Sequence, residues 1–427
     1  MAAGLCDKVS GRHSRQGLEI RDGMTARAIL DGLFRTAIAA AHPSSCLPPH
    51  LPRPPKSGRL IVLAAGKAAG SMAEVAEAAY AELGERLAGI AVARQGYARP
   101  IRLISMVEAG HPIPDAAGLE ATERTLALAN SAGPDDLVLV LLSGGASANW
   151  IAPVQGLSLA DKQAVTRALL RSGATIGEIN TVRKHLSRIK GGRLAKLAAR
   201  ARVLTLAISD VPGDDPAVIG SGPTVADPTT LADARVIVAR YKLEIPEVVT
   251  RALENPRNES PKPNDPVFAS AAFKLIARPT DAFRAAEREV RMLGYEPVFL
   301  GDRIEGEARE IGAEHAVRAR ALQAAGRRAV ILSGGELTVT IRGPGRGGPN
   351  QEYALALAMA LQGVSGVSAL AVDTDGTDGG AGAADDPAGA VIDPTTLDRA
   401  RSLGLDPAHF LIDNDSTGFF SQLGDLV

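Results

Sequence analysis

Glycine turns flanked by cations and carboxylates recur along this chain, each where an apolar run stops. The densest stretch runs from Leu332 to Asp378. A strand-like run, Ala329-Val-Ile-Leu332, breaks into Ser333-Gly334-Gly335-Glu336. A second, Leu337 to Ile341, leads into Gly343-Pro-Gly-Arg346-Gly347-Gly348-Pro349-Asn350-Gln-Glu352 ahead of an alanine- and leucine-rich helix. Glycines around an arginine at a helix start offer amide donors, a positive helix end and a fixed cation, which together suit a phosphate. The apolar run Ala369 to Val372 then ends in Asp373-Thr-Asp375-Gly-Thr-Asp378. Aspartates at a strand end suit Mg²⁺, a hard ion that takes oxygen ligands and keeps some of its waters. The two features point to phosphoryl-group chemistry.

The same device appears upstream. Arg59 to Leu63 reads as a buried strand, followed by Gly66-Lys67-Ala-Ala-Gly70 and a helix from about Ser71 to Leu83. Strand, glycine turn and helix form the doubly wound unit, whose ligands sit at the strands' C-terminal ends. Most lysines are solvated, but Lys67 stands between two glycines at such an end and reads as functional. Asp136 to Leu142 is the strongest buried strand and runs into Ser143-Gly144-Gly145-Ala-Ser147. Small residues there let backbone amides approach an anion, although such a turn also serves packing. Because Leu-Ser-Gly-Gly recurs at Leu332 to Gly335, two similar strand exits facing one crevice are expected. His111 reads either as a substrate contact or as a loop histidine satisfied by nearby backbone.

Val203 to Ile208 is a further buried strand delivering Ser209-Asp210-Val-Pro-Gly213-Asp214-Asp215. Asp210 reads as functional, whereas Asp214 and Asp215 fit a site or a helix cap equally well. From Glu178 to Arg193 positive charge is dense, with Asn180, Arg183, Lys184, Ser187 and Lys190 at three- and four-residue steps. One helical face could then hold several donors for an acidic substrate.

The elements that must position these residues fit a chain of two or three domains: 427 residues, of which 45% are apolar. Lys plus Arg (47) balance Asp plus Glu (48), so no bulk charge recruits nucleic acid or an anionic membrane, and the expected partner is a small molecule. Cys6 and Cys46 are too few for a disulfide framework and fit a reducing cytoplasm. The central apolar run Leu137 to Leu142 falls far short of the ~20 residues of a membrane helix. Residues 1–23 lack the apolar core of a secretory signal and read as a disordered extension. Residues 24–42 have helical spacing, and 255–266, proline-dense and polar, is the expected boundary between domains at 24–265 and 266–427. Composition leaves a homodimer open.

Together, Gly66-Lys67-Ala-Ala-Gly70, Leu142-Ser-Gly-Gly145, Asn180-Thr-Val-Arg-Lys-His185 with Lys190-Gly-Gly-Arg193, Ser209-Asp-Val-Pro-Gly-Asp214, Gly220-Ser-Gly-Pro-Thr224, Ser333-Gly-Gly-Glu336, Gly345-Arg-Gly-Gly348 with Asn350-Gln-Glu352, and Gly376-Thr-Asp-Gly379 resemble the glycerate 2-kinase family over roughly residues 25–425. The resemblance implies an α/β protein: a Rossmann-like, doubly wound, mostly parallel sheet, then a smaller mixed α/β domain with a core at 329–427, and a site in the interdomain cleft. It further implies that ATP, with Mg²⁺ or another divalent cation, phosphorylates D-glycerate at its 2-hydroxyl.

By resemblance, Lys67 would meet phosphates or the substrate carboxylate, and Arg346, Asp375 and Asp378 would neutralise transferring charge and hold metal. Asp210 or Asp375 would take the hydroxyl proton. Ser143, Gly144, Gly145, Ser333, Gly334, Gly335, Glu336, Gly347, Gly348 and Asn350 are expected around the nucleotide, and Asn180, Arg183, Lys184, Lys190 and His111 around glycerate. Some relatives are named hydroxypyruvate reductase, which makes an NAD(P)H-dependent reductase the alternative, disfavoured by the lack of a Gly-x-Gly-x-x-Gly strand exit. A catalytically impaired nucleotide- or organic-acid-binding relative is the third reading. It is motivated by Pro349, where the family has a second arginine, and by the family's continuation past Gly424-Asp-Leu-Val427. Both departures lead us to expect reduced activity or stability.

Overall fold

The computed structural model describes residues 2–6, 24–111, 113–211, 213–380 and 386–427. Its strands are β1 (Ala2–Cys6), β2 (Leu60–Ala65), β3 (Leu87–Arg94), β4 (Ser105–Ala109), β5 (Leu137–Leu142), β6 (Arg202–Ile208), β7 (Ala271–Ala277), β8 (Glu296–Glu307), β9 (Ala329–Thr338), β10 (Val367–Val372) and β11 (Gly389–Ile392). They fall into two compact units, Ala41–Arg278 and Met1–Ala40 with Pro279–Val427.

In the unit Ala41–Arg278, six strands pair in parallel in the order β4-β3-β2-β5-β6-β7. Parallel sheets are covered on both faces, so their strands are apolar without alternation, as β2 and β5 are. Alternate residues still go to opposite cores, because successive Cβ atoms point to opposite faces. Leu60, Val62 and Ala64 pack with Met72 and Ala76 of helix Ala69–Tyr80. Ile61, Leu63 and Ala65 pack with Ala121 and Leu126 of helix Ala116–Ser131. The order reverses between β2 and β5, which makes the sheet doubly wound. Ala65 is in register with Leu142, and Leu142 with Ala207, so the chain leaves β2, β5 and β6 at one level.

The other unit holds a mixed sheet, β11-β10-β1-β9-β8. Here the structure departs from the sequence reading in several places. Ala2–Cys6, expected within a disordered extension, is a strand because its backbone pairs antiparallel with both β9 and β10, which satisfies main-chain groups on both edges. Met1 and residues 7–23 lie outside the described residues.

Helix Ala26–Ala41 belongs to this unit rather than to a 24–265 domain, since its Leu30 and Leu33 pack on Val330 and Leu332 of β9 and Val372 of β10. The division falls at Arg278/Pro279 rather than 265/266, because β7 lies beyond the proline-dense segment and pairs with β6. Ser333-Gly334-Gly335-Glu336 is not a strand exit. It continues β9, with Ser333 opposite Gly301 and Glu336 opposite Glu305. Gly335 (φ +154°) is required there because a Cβ would collide with the Ile304 backbone.

Glu259, inside the proline-dense segment, ties several elements together. Its carboxylate accepts from the Leu231 amide (3.0 Å) and His185 Nε2 (3.0 Å), and Lys262 Nζ lies 2.6 Å away. Burial alone would raise this carboxyl, but the bonds from Lys262, Leu231 and His185 hold it down at about 2. A depressed carboxyl stabilises the fold above its unfolded value and loses that contribution as pH falls towards its folded value. Glu259→Gln should therefore lower Tm near neutrality, and the gap to wild type should close between about pH 4.5 and about pH 2. Thermal unfolding followed against pH checks this, and a gap independent of pH would contradict it.

Candidate active site at the strand ends

The reversal between β2 and β5 creates a crevice outside the strands' carboxyl ends, the place where open α/β sheets hold ligands. The two exiting chains interlock there. Lys67 N donates to Gly144 O (2.7 Å), Ala68 N to Ser143 Oγ (2.9 Å) and Ser143 N to Ala65 O (3.1 Å). Gly66, at φ +116°, has no room for a side chain: a Cβ would lie 2.5 Å from both Ser143 O and Ser143 Oγ. On Gly144 a Cβ would fall inside the Asp210 carboxylate. A Cβ on Gly145 would lie 2.9 Å from His111 Nε2 and 3.2 Å from Lys67 Cγ. Lys67 Nζ stands 4.0 Å from Asp210 Oδ2, both partly exposed. The structure thus brings together Lys67, Ser143, Gly144, Gly145, Asp210 and His111 from four strand ends. The next helix, Ala69–Tyr80, begins at Ala68, whose methyl cannot cap, so the positive helix end faces this group without a side-chain cap from its own N-cap residue. By contrast, Asp214 pairs with Arg278 (3.3 Å) and Asp215 caps the Ala217 amide (2.9 Å).

The basic segment divides. Helix Ile176–His185 starts at a Thr175/Glu178 capping box and stops at His185, so Ser187 and Lys190 do not share its face as expected. Asn180 and Lys184 are buried on it. Lys184 Nζ lies 3.4 Å from Asp227 Oδ1 with both side chains enclosed, a buried ion pair. Lys190 is fully buried and donates to Ser147 O (2.8 Å). Lys162, which the sequence reading missed, donates to Arg183 O and Leu186 O (both 2.8 Å). Burial pushes both ammonium groups well below their ordinary value, and neighbouring cations, Arg183 among them, add to it. Arg183 Nη2 lies 3.5 Å from the same Ser147 carbonyl, and its buried Nε has no partner among the described residues. Ser147 Oγ meets Ser221 Oγ at 2.5 Å. The signal for Ser147 was its place closing the Ser-Gly-Gly-Ala-Ser turn; Ser221 carries an unusual φ of +62° that sequence does not announce.

In the other unit, helix Pro349–Leu361 has Gly348 as N-cap and Pro349 in its first position, where a missing N–H costs nothing. Asn350 N and Gln351 N both donate to Asp378 (3.0 and 2.8 Å), as does Asn350 Nδ2 (3.0 Å). Asp378 thereby occupies the helix end where a phosphate was expected, its carboxylate capping the first amides of that helix. It is 2% exposed, and burial raises its carboxyl against the opposing pull of those amides. Among the described residues no group of three or more His, Cys, Asp or Glu gathers to hold a metal. Asp375 is half-buried just past β10, its amide on Asp373 Oδ1 (2.6 Å). Arg346 is 70% exposed, with Nη2 3.5 Å from Asp386 Oδ1. Gly347 and Gly348 are filled against Ser416 and Asp378, so their lack of side chains serves packing.

Comparison with known proteins agrees with this fold. The family described as a domain of unknown function (DUF4147) matches residues 29–254, and the MOFRL family matches residues 329–427. A D-glycerate 2-kinase of Thermotoga maritima is 37% identical over 92% of this chain and 93% of that protein. This chain belongs to the glycerate 2-kinase family. The crystal structure of a glycerate kinase from Thermotoga maritima superposes with a TM-score of 0.82 at 37% identity, covering 93% of this chain and 94% of that one. Another relative, from Agrobacterium vitis, is 47% identical over 95% of this chain and 91% of its own length and is named a putative hydroxypyruvate reductase. Among the described residues of this family member, no helix is long and apolar enough to cross a membrane.

Asp378→Ala should cost about 1–3 kcal/mol in urea unfolding without added metal, since it leaves two helix-end amides unsatisfied. A gain in stability would instead mark Asp378 as a repelled metal ligand. Gly144→Ala should displace Asp210 from Lys67 and abolish most activity while the far-ultraviolet spectrum stays native.

Proposed function

We propose that this protein transfers the terminal phosphoryl group of ATP to the 2-hydroxyl of D-glycerate. The observation that carries the reading is the convergence of Lys67, the Ser143–Gly145 turn and Asp210 where the strand order reverses. Phosphoryl transfer asks the protein mainly to position reactants and stabilise charge. Lys67 and the start of helix Ala69–Tyr80 supply positive potential for phosphate oxygens. Asp210 is a carboxylate able to take the hydroxyl proton as the oxygen attacks. Arg183, whose Nε lacks an acceptor among the described residues and which lies beside buried Lys162 and Lys190, suits the glycerate carboxylate. In the other unit, Arg346 presents an exposed guanidinium suited to transferring charge. Mg²⁺ would arrive with the nucleotide, because that ion is usually held by phosphates, waters and one or two carboxylates. Asp375, half-buried just past β10, is the carboxylate suited to that ion. When bound, Mg²⁺ would screen phosphate charge.

The relatives named as kinases support this reading; the relative named as a reductase motivates a comparison arm. In this chain β2 leaves into Gly66-Lys67-Ala-Ala-Gly70, which lacks the three-glycine spacing of a dinucleotide site. Incubation with D-glycerate, ATP and Mg²⁺ should give 2-phosphoglycerate by phosphorus NMR, and Lys67→Met should lower kcat on the order of 100–1,000-fold. NAD(P)H oxidation by hydroxypyruvate without phosphoryl transfer would reverse the assignment.

A further inference from the structure

The phosphoryl-transfer reading leaves unused a polar run that nothing above assigns, Asp413-Asn414-Asp415-Ser416-Thr417. Asn414 is 7% exposed and held at φ +55°. Its Oδ1 accepts from Arg342 N (2.6 Å) and Gly343 N (3.1 Å). Its Nδ2 donates to Glu352 Oε2 (2.9 Å) and Thr340 O (3.3 Å). Glu352, itself 2% exposed, is anchored through Oε1 by Arg309 Nε (2.9 Å) and Nη2 (2.8 Å). Further along, Asp415 Oδ1 accepts from Arg346 N (3.1 Å) and Gly418 N (3.2 Å), while Thr417 N donates to Arg346 O (2.9 Å). Gly345 N donates to Asp413 O (2.9 Å).

Both main-chain groups of Arg346 are therefore held by the 413–417 turn, and so are the amides of residues 342, 343 and 345. The loop glycines have the same cause. A Cβ on Gly343 would sit 2.5 Å from Asp413 Cα, one on Gly345 would sit 2.5 Å from Asp415 Cβ, and one on Gly347 would collide with Ser416 Oγ. The outcome is a loop clamped along its backbone whose arginine side chain is 70% exposed.

We propose that Asn414 and Asp415 are positioning residues for the phosphoryl transfer: they fix the 342–348 backbone so that the Arg346 guanidinium is pre-set for the transferring charge. This rests on the reading that gives Arg346 that role. A preorganised cation needs no reorganisation as charge develops, whereas one on a loose loop must be ordered during the reaction. Asn414 is the more telling member, because it bridges a buried carboxylate to the loop and occupies a backbone conformation that glycine also tolerates.

The test is a cycle of wild type, Asn414→Gly, Arg346→Ala and the double variant, with kcat and KM for glycerate separated and amide hydrogen exchange read at Arg342, Gly343 and Arg346. Asn414→Gly should lower kcat by on the order of 10–100-fold with KM within about twofold, and speed exchange at those amides. The double variant should be no slower than Arg346→Ala alone. Wild-type kcat in Asn414→Gly, or losses that multiply in the double variant, would overturn the positioning role while leaving Arg346 its function. Wild-type kcat in Arg346→Ala would remove the role of Arg346 itself, and this proposal with it. Asp415→Asn supplies a second readout if Asn414→Gly unfolds: its remaining oxygen still accepts from Arg346 and Gly418, so exchange at Arg346 should rise modestly and kcat fall by less than about tenfold. Unchanged values for both would also count against the proposal.

Discussion

The close approach of the chain leaving β2 to the chain leaving β5 is the constraint on which the candidate site depends. Lys67 N and Gly144 O meet at 2.7 Å, and the Ser143 hydroxyl receives the next amide. Such an approach requires backbone without Cβ at Gly66, Gly144 and Gly145, and it leaves Asp210 resting where a side chain on Gly144 would have been. The lysine and the aspartate are brought to 4.0 Å by main-chain hydrogen bonds and register rather than by their own attraction, which is weak between partly exposed charges.

Behind this turn the protein buries lysine side chains in two different ways. Lys184 is matched by Asp227, whose carboxyl burial would raise but Lys184 and the hydroxyls of Thr229 and Ser260 lower. Removing one partner of such a pair costs several kcal/mol. Lys162 and Lys190 instead meet backbone carbonyls, and the neighbouring charges that act on them are cationic. Burial favours the neutral form of both amines, so an anion placed beside them would favour their protonation.

The second unit uses carboxylates for architecture. Asp378 closes the start of helix Pro349–Leu361, Glu352 joins Arg309 to Asn414, and Asp425 meets Arg399 at 2.6 Å. These groups are buried or nearly so, and each satisfies donors that would otherwise be stranded. Of these, Glu352 reaches the loop that carries Arg346 through Asn414, whose side-chain oxygen accepts from the Arg342 and Gly343 amides.

Sequence alone determined the parallel strands, because runs such as Leu137 to Leu142 are too apolar for a sheet with a wet face. It also determined that Lys67, Ser143–Gly145 and Asp210 lie at strand ends, because glycine and small polar residues follow each run directly. Only the tertiary structure decided which carboxylate caps the helix after Gly348. Asp375 and Asp378 are alike in sequence, yet the second is taken by amides 27 and 28 residues upstream. It likewise separated the two Leu-Ser-Gly-Gly stretches, since the pairing of β9 with β8 carries the second onward as strand. It also ended helix Ile176–His185 before Lys190 could share its face with Arg183. Local spacing encodes where backbone turns and which face is apolar; who satisfies a buried donor or charge depends on residues far along the chain, and that becomes fixed only when they pack.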